Sequence, residues 1–109
     1  MIVSSDRRAQ LLRMEEARRQ TQHQLDIIER QIMRRMAALI PQLKPKRMAY
    51  RGGKPPDASA FLERYRANLA ATTAERQHEI DALSRKLARQ DKAIAALQER
   101  LLPAGAQAA

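Results

Sequence analysis

Two long runs without a single glycine or proline, Ser4–Ile40 and Asp57–Leu102, flank a short stretch that holds most of both residue types. That stretch, Pro41–Pro56, contains four of the five prolines and two of the three glycines. Proline lacks a backbone donor and clashes with the preceding helical turn, and glycine is costly inside a helix. One helix is therefore expected to stop in this stretch and another to start beyond it. The expected fold is all-α: a helix over 4–40, a tip loop over 41–56, a second helix over 57–102 and a frayed tail over 103–109. Asp57, behind Pro55 and Pro56, suits an N-cap, and Pro103 ends the second helix.

Apolar spacing says how the two helices would meet. Ile80, Leu87, Ile94 and Leu101 recur every seven residues, with Leu83, Gln90 and Leu97 as the companion row. Carried backwards, the rows take in Leu69 and Leu62, interrupted by Thr73, Arg76 and Arg66. In the first run Leu11, Leu25, Ile32 and Leu39 share one row and Met14 and Ile28 the other, with Arg18, Thr21 and Arg35 falling in the seam. From Ile28 onward the spacing Ile28, Ile32, Met36, Leu39, Leu43 widens toward that of a straighter helix. Rows sustained over several heptads indicate a coiled coil, and the breaker-rich tip makes it an antiparallel hairpin. Folding back at the tip pairs residues whose numbers add to about 100, by antiparallel helix geometry. Leu39 then meets Leu62, Ile32 meets Leu69, and Arg18 or Arg76 comes near Glu79 or Asp81. A parallel dimer through 80–101 is the other arrangement the pattern allows. Ile27 and Met33 lie off the main stripe and suggest a second contact surface.

Composition narrows the function classes. A chain of 109 residues, 30% of them charged and only three aromatic, confines its apolar content to narrow stripes in at most one small domain. Two helices bury little surface by themselves, so association with a second copy, as a homodimer, or with another protein is expected. With no cysteine, disulfides and thiolate metal sites are excluded. No apolar run approaches the ~18 residues of a membrane span and Met1–Asp6 does not resemble a signal peptide, which makes a cytoplasmic location the expectation. His23 and His78 fall at outward positions and read as surface residues. No carboxylate pair or activated-nucleophile pattern is present, and Gly52-Gly53-Lys54 has neither the strand nor the spacing of a phosphate loop. No enzymatic activity, cofactor or metal is expected.

Charge is the remaining signal. The net charge is +9, of which Ser4–Ile40 contributes +3 and Asp57–Leu102 only +1. The other five charges are Lys44, Lys46, Arg47, Arg51 and Lys54, in a tip without one acidic residue. With Tyr50 available to stack on a base, these cations suit nucleic-acid phosphates. They equally suit an acidic protein surface, or simply keep a solvated loop soluble.

The segment Arg8-Ala-Gln-Leu-Leu-Arg-Met-Glu-Glu-Ala-Arg-Arg19, opening a long helix, resembles the start of the small coiled-coil stalk proteins of type III secretion and flagellar export, the FliJ/YscO group. Phe61-Leu-Glu-Arg-Tyr-Arg-Ala-Asn-Leu69, leading into Glu75–Leu101, is similar to that family's second helix. The resemblance implies an antiparallel hairpin that binds an export ATPase and links it to the export gate or to chaperones.

Overall fold

The computed structural model describes residues 2–43 and 58–102, and every regular element among them is a helix. Helix α1 spans Ile2–Leu43, α2 spans Ala58–Glu75 and α3 spans Gln77–Leu101. None is long and apolar enough to cross a membrane. The tip and the tail lie outside the described residues.

Helix α1 runs past its expected end and includes Pro41. A proline there removes one backbone hydrogen bond, which is tolerated in a final exposed turn better than in a helix interior. The last carbonyls of any helix lack intrahelical donors, and α1 has no basic residue in its own last turn. Arg64 of α2 supplies the missing group, its Nη2 donating to the Leu43 carbonyl at 3.0 Å. A cation at the negative end of the helix dipole adds to that bond.

The segment 57–102, expected as one helix, is divided at Arg76. The Arg76 amide donates to the Thr73 carbonyl at 3.0 Å, a three-residue closure in place of the four-residue α-helical one. Thr72 and Thr73, adjacent β-branched residues with little rotamer freedom in a helix, precede the break.

The described residues divide into two compact units, one made of those up to Asp26 with those from Glu79 on, the other of Ile27–His78. In the first, α1 meets α3 around buried Thr21, Ile94 and Leu97. Leu11, Met14, Leu25, Ile80, Leu83, Leu87, Gln90 and Leu101 are half-buried beside them. Arg18 forms an ion pair with Asp91. The Thr21 hydroxyl, 1% exposed, donates to the Ala17 carbonyl at 3.1 Å, so this polar residue is satisfied within its own helix.

In the second unit α1 meets α2 around Ile28, Ile32, Met36 and Thr72, with Met36 at 0% exposure. Arg35 Nη1 donates to Glu75 Oε2 at 2.6 Å, and Arg76 Nη1 to Gln31 Oε1 at 2.9 Å. Phe61 and Tyr65 stack one helical turn apart, ring centres 6.4 Å from each other.

These contacts correct the expected register. Partner numbers add to 109 for Arg18–Asp91. In the other unit they add to 110 for Arg35–Glu75 and to 107 for Arg76–Gln31 and Arg64–Leu43. The expected figure was about 100. The two alignments differ by roughly one heptad, and a heptad seam presents nearly the same apolar row after such a slip.

Candidate interaction surfaces

The seam residues expected from the sequence differ in burial. Leu11, Leu25, Leu39, Leu69, Ile80, Leu83, Leu87 and Leu101 are half-buried, and Ile28, Ile32, Ile94 and Leu97 are buried. Leu62 is the exception, at 47% exposed. Phe61, Tyr65, Asn68 and Thr72 face inward in its place, following a wider spacing than the backward extension of the Leu69–Leu83 row assumed.

The proposed contact residues of the tip, Lys44, Lys46, Arg47, Tyr50, Arg51 and Lys54, lie outside the described residues. Ile27 and Met33, read as off-stripe, are exposed at 36% and 49%. Leu12, which the sequence reading did not single out, is more exposed still at 68%. Its heptad position is outward, and that spacing was the signal that could have found it. His23 and His78 are both exposed. Among the described residues no group of three or more metal-ligating side chains comes together.

Charge separates the two units more sharply than it separates the helices. By sequence, residues 27–78 carry eleven Lys or Arg against four acids, a net +7. Residues 1–26 and 79–109 together carry ten against eight, a net +2. On α1 the acid-free stretch begins well before the tip, since Glu29 is the last acidic residue before Asp57. Sequence reasoning that started the stretch at Pro41 overlooked Arg30, Arg34 and Arg35.

The three arginines differ in use. Arg35 is held by Glu75. Arg30 and Arg34, one turn apart and exposed, make no hydrogen bond or ion pair with any described residue. In the other unit Arg19 bonds Glu16 through both Nε and Nη2, at 2.9 and 2.6 Å. That bond, with the nearby positive charge, holds the Glu16 carboxyl below the usual carboxylate range. The bond to Asp91 strengthens the hold of the Arg18 guanidinium on its proton, with the carboxylate's charge adding to it.

Comparison with protein-family models, with curated proteins and with solved structures finds no match for this chain.

Proposed function

We propose that the chain is an antiparallel coiled-coil hairpin that works as a non-catalytic interaction module, presenting its cationic end to another macromolecule. The supporting observation is the register within the 27–78 unit. Parallel helices would keep a constant difference between partner numbers; the three pairs of this unit keep a nearly constant sum, between 107 and 110. The seven-residue rows on α1 and α3 are those of a coiled-coil seam. A module of this form binds through its outer faces and its end.

The specific version of this reading, drawn from the resemblance of Arg8–Arg19 and Phe61–Leu69, is a stalk-like adaptor that contacts a type III export ATPase. Mixing the full chain with such an ATPase is then expected to give a stoichiometric complex and a faster rate of ATP hydrolysis. Absence of both a complex and a rate gain would remove the stalk reading.

A second reading is favoured by the +7 charge of residues 27–78: the cationic end binds nucleic acid. Under that reading the tip residues Lys44, Lys46, Arg47, Arg51 and Lys54 contribute phosphate contacts and Tyr50 a stacking surface.

A further inference from the structure

We propose that the outer face of α1, through Arg30 and Arg34, is a docking rail for a nucleic-acid phosphate backbone. The proposal rests on the second reading above and extends it from the tip to a defined helical face.

Sign comes first. From Arg30 to Pro56 the chain runs through eight Lys or Arg without one acid, and the helical part of that run extends from Arg30 to Leu43. At ~1.5 Å per residue this gives about 20 Å of helix flank with no carboxylate of its own to repel a phosphate.

Availability comes second. Arg30 and Arg34 stand one turn apart on the side of α1 opposite Ile28, Ile32 and Met36, and neither is engaged by a described residue. Their neighbours in the same direction, Ala37, Ala38 and Pro41, are exposed and short. A backbone approaching the helix therefore meets two unpaired guanidinium groups and then low, uncharged surface. Guanidinium forks bind phosphate oxygens in a bidentate manner and are less strongly hydrated than ammonium groups. All six cations in the described part of this unit are arginines.

The character of the surface separates a nucleic acid from an acidic protein. Protein interfaces are anchored by a few buried aromatic or arginine side chains seated in pockets. In this unit the two described aromatics, Phe61 and Tyr65, are half-buried and stacked on each other. The exposed large apolar residues are Ile27, Met33 and Leu62. A linear polyanion needs only charge of one sign along a line, which is what this face offers.

The test uses the full chain, a fluorescein-labelled 20-base-pair DNA duplex, and matching single-stranded DNA and RNA, titrated from ~50 mM salt upward. Polyglutamate serves as the acidic-protein competitor. Arg30→Gln/Arg34→Gln is expected to bind at least about tenfold more weakly at the low-salt end. Its log–log salt slope is expected to fall by about two, close to one counterion released per lost phosphate contact. Arg85→Gln/Lys92→Gln, in the other unit, is the control and is expected to stay within about twofold of the parent. Circular dichroism at equal concentration verifies that both variants keep the parent's helix content. If the parent binds and Arg30→Gln/Arg34→Gln keeps its slope, the rail is wrong while the second reading survives. If polyglutamate displaces the nucleic acid at equal charge, the face recognises acidic protein and the proposal is overturned. If the parent binds none of the three nucleic acids, the second reading falls and the rail falls with it.

Discussion

Gln90 occupies a position where an aliphatic residue would serve stability better. It follows Leu83 and Leu87 in the seam rows and precedes Ile94 and Leu97, and its Oε1 is buried without a hydrogen-bond partner among the described residues. A buried acceptor left unmade costs about 1–3 kcal/mol. Thr21, more fully enclosed, avoids that cost by bonding the Ala17 carbonyl. A polar residue in an apolar row disfavours slipped alignments, which would put the amide against a different layer. Replacement Gln90→Leu is therefore expected to raise the unfolding free energy by about 1 kcal/mol in urea denaturation. A loss of similar size would show that the amide is a satisfied structural group. The ion pair of Arg18 with Asp91, both partly exposed, orients the helices more than it stabilises them, because solvent screens it.

At the scale of the elements, α3 was the most legible part of the sequence. Its rows run from Ile80 to Leu101 without a change of phase, and every apolar member is buried or half-buried. The 27–78 unit follows a different period. On α1 the inward residues Ile28 and Leu39, and Ile32 and Leu43, are eleven apart; on α2 so are Phe61 and Thr72. An eleven-residue repeat packs with a straighter or slightly right-handed twist, against the left-handed twist of heptads. The change was readable on α1, where large apolar residues mark it. It was hidden on α2, where Leu62 and Leu69 mimic a heptad pair while polar Asn68 and Thr72 occupy inward positions. Register was not legible because alignments one heptad apart bury nearly equivalent rows, leaving the choice to polar residues such as Gln90 and Arg18.

The period change makes neighbouring residues on α1 separable by mutation. A strict heptad after Ile28 and Ile32 would seat Arg35 in the seam, yet Met36 is the enclosed side chain and Arg35 is exposed. Met36→Ala is expected to cost about 2–4 kcal/mol of stability, through lost burial and the cavity left behind. Arg35→Ala is expected to change it by no more than about 0.5 kcal/mol. Comparable losses from both would mean that the seven-residue period continues through this part of α1.

For the whole molecule, the proposed function depends on the helices doubling back within one chain. Within the 27–78 unit, that arrangement sets the acid-free part of α1 against α2. The contrast between +7 and +2 makes the 27–78 unit the one suited to a polyanion.

The most direct test is a distance. The protein has no cysteine of its own, so spin labels can be placed uniquely by His23→Cys and Lys86→Cys, both at exposed positions. An antiparallel pair in the observed register predicts a label separation of about 20–30 Å, from helix diameter and interaxial spacing. That distance should persist when labelled protein is diluted with unlabelled protein. A separation near 95 Å, roughly 1.5 Å for each intervening residue of one continuous helix, would contradict the account. So would a short distance that disappears on dilution, because the pairing would then lie between chains.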